Sequence, residues 1–162
     1  MSDLKNAALG TLGFCAMLTD KAFDGFDQSN AFTTADEGGN HAAWVAGHLA
    51  QTCDWVLGNF AGSAELDESY KSLFGMDSAP GAEADYPPFA DLLAQLKERR
   101  QAMQDWFSGL TDEQAAAELD EEYRMFGQTV AGMIGAIGAH ENYHCGQLSV
   151  VRKKLGIGRV FG

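Results

Sequence analysis

The sequence predicts an all-α protein, a four-helix bundle with long connections. Three observations lead there. Four long stretches repeat their apolar residues every three or four positions, no stretch shows the strict alternation of a half-buried strand, and two long tracts are rich in turn-forming residues. With 162 residues, 46% of them hydrophobic, residues 1–162 are expected to form a single domain with one sizeable core.

The first helix is expected over residues 2 to 26, where Leu4, Ala8, Leu12, Cys15, Leu18, Ala22 and Phe26 follow each other at helical spacing. The stretch "DQSNAFTTADEGGN" interrupts it and ends in Asn40, a favourable N-cap for a second helix from about His41 to Phe60. Residues 61 to 88 read as a long connection with one short helix around "ESYKSLF". Pro87 and Pro88 open a third helix, "PFADLLAQLKERRQAMQDWFSGL". Leu92, Leu96, Met103, Trp106, Phe107 and Leu110 form its apolar side, with Arg99 and Arg100 towards the other. "TDEQAAAEL" begins with a Thr cap and reads as a short helical turn, and a fourth long helix runs from about Thr129 to Leu155, closed by Gly156.

Composition narrows the function classes. No run of about 18 apolar residues is present, so no membrane span is expected, and the opening "MSDLKNAALG" lacks the pattern of a secretory leader. Cys15, Cys53 and Cys145 are far apart and odd in number, which fits a reduced cytoplasmic protein better than a disulfide framework. The net charge of -12 repels phosphate backbones and argues against nucleic-acid binding. From Asn142 onward acidic residues are absent, and Arg152, Lys153, Lys154 and Arg159 either complement the helix end or meet an anionic ligand.

The histidines carry the chemistry. Along the fourth helix Met133, Ile137, His140, His144, Leu148, Val151 and Leu155 form one seam, so two imidazoles interrupt an aliphatic stripe. Four residues apart means about 40° of rotation and about 6 Å of rise, close enough to converge on one ion. On the second helix the inward positions read His41, Trp44, His48, Thr52 and Trp55, and His48 again breaks the apolar face. Buried unpaired imidazoles are costly, so a third histidine on a facing seam favours a metal site. His41, at the helix start, reads as a capping or surface residue.

"GAHENYHCGQL", residues 138 to 148, contains H-E-x-x-H and E-x-x-H. A zincin protease needs a further ligand downstream, and after His144 there is no Glu, Asp or His. A di-iron bundle needs two E-x-x-H segments, and Glu141 to His144 is the one present. What remains is a mononuclear site of His48, His140 and His144 with an open position for water or substrate, able to activate water or polarise a thiol or carbonyl. Imidazoles accept zinc, nickel, copper and iron alike.

"WVAGHLAQTCDW" followed by "HENYHCGQLSVVRKKLG" resembles the DinB-like (DinB/YfiT) superfamily, whose pattern is W-x-x-x-H-L and a terminal H-x-x-x-H-x-G-Q-L with basic residues and Leu-Gly. The intervening "SLFGMDSAPGAEADYPPFADLLAQL" is similar to that family's Phe-Gly connection and Tyr-Pro helix start, so the resemblance spans nearly the whole chain. It implies a four-helix bundle, often a homodimer, with nickel, zinc or a similar divalent ion on His48, His140 and His144. It also implies a metal-dependent transferase or isomerase using a low-molecular-weight thiol, while the open position read from the histidines themselves equally allows a hydrolase that activates water. Gly146 and Gln147 match its Gly-Gln pair, the glycine allowing close helix contact and the amide supporting a ligand or a neighbouring backbone.

Glu141 is the candidate general base, with pairing to a basic residue as the competing role. Cys145 is read as a buried thiol, and Tyr143 and Trp44 as packing residues or the lip of a pocket shaped by residues 27–40 and 61–88. The partner expected is a small-molecule substrate or thiol. The alternative function is a non-catalytic, stress-associated bundle whose ion ties the second helix to the fourth.

Overall fold

The computed structural model describes residues 2–160, and among these every regular element is helical, with one isolated bridge between Glu118 and Thr129. The helices are α1 (Asp3–Phe23), α2 (Ala42–Val56), α3 (Glu68–Phe74), α4 (Phe89–Gly109), α5 (Asp112–Ala116) and α6 (Val130–Leu155). The four long helices of the bundle are α1, α2, α4 and α6. The second expected helix holds its course to Ala61, but its last turn, Leu57–Ala61, widens to π geometry.

Side-chain caps account for most starts. Ser2 accepts from Lys5 N, Asp67 from Tyr70 N, Thr111 from Gln114 N and Thr129 from Gly132 N. At α2 the expected cap is displaced by one residue: His41 Nδ1, not Asn40, accepts from Trp44 N. Gly156, at φ +70°, ends α6 in the left-handed conformation that a residue with a Cβ resists. The first helix stops at Phe23 rather than Phe26, and Leu4, expected to face inward, is exposed.

Register establishes the topology. Leu12 lies against Gly138, Asn142 Nδ2 donates to Cys15 Sγ, Cys145 Sγ to Leu18 O and Arg152 Nη1 to Ala22 O, so α1 and α6 run side by side in one direction. α4 opposes α1, because Lys5 Nζ donates to Ser108 O, Arg100 pairs with Asp20 and Phe23 meets Phe89. α2 opposes α6, since Asn40 bonds Gln147 and His48 faces His140. The order is therefore up, down, down, up. α2 and α4, bridged by Arg99 and Asp54, are parallel neighbours, and residues 57–88 must return the chain along the bundle.

The core divides in two. One apolar cluster gathers Leu18, Phe23, Val45, Leu49, Leu92, Leu96, Leu148 and Val151. The other gathers Leu12, Val56, Met103, Phe107, Met133, Ile134 and Ile137. Between them along α4 and α6 lie Arg99, Arg100, His140, Glu141 and His144, a polar belt across the middle of the bundle. Arg99 and Arg100 correct the expectation that they face outward: both are buried, Arg99 on Asp54 and Glu65, Arg100 on Glu141 and Asp20. Their long apolar stems cross the helix surface while the guanidinium groups meet carboxylates.

The basic C-terminal segment also closes the fold. Arg152 is buried and donates to the carbonyls of Ala22, Asp24 and Gly158, while Lys154 Nζ donates to Thr34 O and Ala35 O. These cations satisfy orphan carbonyls at the end of α1 and in the following loop. No helix among the described residues is long and apolar enough to cross a membrane.

Candidate metal centre

His48 from α2 and His140 and His144 from α6 come together between the two parallel pairs. Their ligand atoms lie within 4.8 Å of one another. His140 Nε2 is 3.2 Å from His48 Nε2 and 3.1 Å from His144 Nε2. An ion held by imidazoles at about 2.0–2.1 Å, with bond angles between octahedral and tetrahedral, needs N···N separations of about 2.8–3.4 Å. Both separations from His140 fall inside that range.

The outer ring nitrogens show how the inner ones are oriented. His48 Nδ1 lies 2.7 Å from Phe74 O, and a carbonyl accepts only, so Nδ1 carries the proton and Nε2 presents a bare lone pair. His144 Nδ1 donates likewise to Gln147 Oε1 at 2.8 Å, and the same oxygen accepts from Asn40 Nδ2 at 3.0 Å. Among the described residues His140 Nδ1 is enclosed without a hydrogen-bond partner. A single N–H on His140 Nε2 can satisfy one of the two lone pairs beside it, and the other is left facing nitrogen. A cation among the three removes that repulsion, so the donor set fits a metal ion.

Electrostatics agree. Burial lowers the pKa of His48; burial and the neighbouring His48 lower that of His140 to about 4. Burial and the other two imidazoles lower His144 to about 3, against the pull of Gln147. All three are neutral near pH 7, the state in which imidazole ligates.

Packing sets these rings in place. Trp44 stacks on His48 with ring centroids 4.5 Å apart and planes 9° from parallel, and its indole N–H donates to Ser78 Oγ. The Phe74 ring lies directly on the Gly47 backbone, where a Cβ would come within 2.3 Å of it. Gly47 thus lets α3 approach α2 closely enough for the Phe74 carbonyl to reach His48. Gly146 does not act as expected: it is exposed with open space where a Cβ would be, and Gly138 is the glycine of α6 that lies against α1.

Glu141 lies outside the cluster. It is buried at 1% exposure, and its Oε1 accepts from Arg100 Nε at 3.0 Å, the pairing considered beside the general-base role. Burial raises its pKa while Arg100 opposes the rise. Cys145 is a buried thiol whose Sγ points to Leu18 O. Tyr143 is exposed, its ring centroid 5.1 Å from that of His144, whereas Trp44 is buried packing.

A cavity of about 380 Å³ opens beside His48 and His140, walled by Thr52, Trp55, Phe126, Ala136 and Ile137. Of the two loops expected to shape it, the 61–88 connection supplies Met76, and residues 27–40 supply none of its lining. Phe126, from the 3₁₀ segment Glu121–Phe126, was not foreseen. Neither was Phe74, because a backbone carbonyl acting on a histidine 26 residues earlier leaves no sequence signal. Gln147 had one, its i, i+3 spacing from His144 on a helix.

The family model of the DinB superfamily matches residues 11–148, which include all three histidines. Among solved structures, a similar chain is YfiT from Bacillus subtilis, described as a probable metal-dependent hydrolase with an unusual four-helix bundle topology. It shares 16% identity with this chain, covering 98% of this chain and 91% of that one at a TM-score of 0.67. Comparison with curated proteins gives no match.

Proposed function

The chain belongs to the DinB superfamily, and from that premise we propose that it is a metal-dependent enzyme, of the hydrolase or thiol-transferase type. His48, His140 and His144 would hold one divalent ion, zinc or nickel by the family resemblance. The observation that carries this reading is the convergence of three Nε2 atoms beside a cavity large enough for a small substrate. A purely structural ion has no use for such a cavity, since closed sites fill their coordination with protein ligands. The description of YfiT supports the hydrolase branch by analogy alone.

A divalent ion in this position supplies Lewis acidity towards water, a thiol or a carbonyl. The chain's own residues do the rest. Phe74 O and Gln147 Oε1 hold the Nδ1 protons of His48 and His144, keeping both Nε2 atoms directed inward. Trp44 braces the His48 ring, and the apolar cavity walls exclude water from a bound substrate.

Elemental analysis of untagged protein tests the reading. About one divalent ion per chain is expected, lost in His48→Ala with helicity retained. A wild-type protein without metal, even after reconstitution, refutes it. Metal that is bound but inaccessible to small anionic ligands supports the alternative, an ion that only ties α2 to α6.

A further inference from the structure

We infer that the cavity beside His48 and His140 takes a compact, mostly apolar molecule bearing one anionic donor atom, such as an arylalkyl thiol, and discriminates against multiply charged peptide thiols. This rests on the metal reading above and goes further, because it concerns what the cavity walls accept.

Among the described residues, those lining the cavity include no Lys, Arg, Asp or Glu. Its far wall is aromatic, with the rings of Trp55 and Phe126 5.2 Å apart between centroids. Ile137 and Ala136 complete an apolar surface, and beyond the imidazoles the polar side chains are Gln51 and Thr52. The Thr52 hydroxyl already donates to His48 O. The volume lies at the lower end of the range for small-molecule sites.

Several of the chain's cations are engaged elsewhere. Arg99 and Arg100 sit in buried ion pairs, and Arg152 and Lys154 donate to backbone carbonyls. Arg124, two residues from Phe126, donates to Leu119 O and faces Glu118. A ligand with several ionised groups would bury charge without a partner, against a chain of net charge -12. One anionic donor atom is different, because three neutral imidazoles leave the charge of a divalent ion uncompensated.

The mouth fits the same ligand class. Met76 lines the cavity yet is 77% exposed, an unbranched thioether free to fold over an apolar body.

The test uses cobalt-substituted full-length protein, read by cobalt–thiolate absorption on titration with benzyl mercaptan, 2-mercaptoethanol and glutathione. Benzyl mercaptan is expected to bind at least about tenfold tighter than 2-mercaptoethanol, with glutathione weakest. Ala136→Leu, which fills the cavity, should weaken benzyl mercaptan about tenfold while leaving cobalt content and 2-mercaptoethanol binding unchanged. Met76→Ala, at an exposed position that leaves folding intact, should weaken the aromatic probe selectively in the same way. Normal cobalt uptake with glutathione bound as tightly as benzyl mercaptan overturns this inference and leaves the metal reading standing. A protein that takes up no cobalt overturns both.

Discussion

A histidine becomes a good ligand when something else holds its far nitrogen, and here the three are held unequally. His48 leans on a backbone carbonyl and His144 on the Gln147 amide, whereas His140 Nδ1 has no partner among the described residues. Gln147 is therefore the side chain whose removal should be felt most directly at the metal. Gln147→Ala is expected to weaken metal binding by about 10–100-fold with the helix content unchanged, measured by competition with a chelator. Gln147→Glu keeps an acceptor for His144 Nδ1 and should recover most of the loss. The family pattern marks Gln147 as a residue of interest, but its acceptor atom could be assigned only once the α6 side chains were placed beside Asn40.

At the level of helices, the site depends on how closely α3 approaches α2. Gly47→Ala places a methyl group inside the Phe74 ring, which is fully buried and cannot swing clear. The expected result is a loss of about 1–3 kcal/mol in urea unfolding, as for other overpacked sites, together with weakened metal binding as the Phe74 carbonyl withdraws. The belt joining α4 to α6 gives a second prediction. Arg100→Met leaves Glu141 buried without its counter-charge and should cost about 3–5 kcal/mol. The double variant Arg100→Met with Glu141→Leu should regain most of that stability, because neither charge then remains. If that double variant also keeps its metal, the three-histidine site does not depend on the Arg100–Glu141 pair. The helices themselves are legible in the sequence because apolar spacing is a local property. The inward turn of Arg99 and Arg100 is not, because charged residues in a helix pattern read as solvent-facing until their carboxylate partners, from 45 and 41 residues away, are known.

For the molecule as a whole, the buried histidines make stability depend on pH. The folded state holds His140 near a pKa of about 4 and His144 near about 3, below the ordinary value of 6.5 that the unfolded chain recovers. Between 6.5 and these values the unfolded chain binds more protons, so acid favours unfolding. The contribution is complete above about pH 6.5 and declines progressively as the pH falls towards 4 and then 3. Metal-free protein should therefore lose melting temperature over that window more steeply than His140→Gln, in which one of the titrating rings is gone. Equal slopes for the two proteins would show that His140 is not a buried neutral base.

The amino-acid sequence by itself determined the four long helices, the long connection and the three histidines that converge between α2 and α6. Each of those is written in spacing along the chain, and the helical period projects spacing onto faces. The order of the helices in the bundle, the pairing of Glu141 with Arg100, and the carbonyl and amide behind His48 and His144 were decided by the tertiary structure. So were the neutral, aromatic walls of the cavity. These depend on contacts between residues far apart in the chain, and on burial, which turns an ordinary imidazole or guanidinium into a group that must have a partner. Local pattern carries no record of either until the helices are packed.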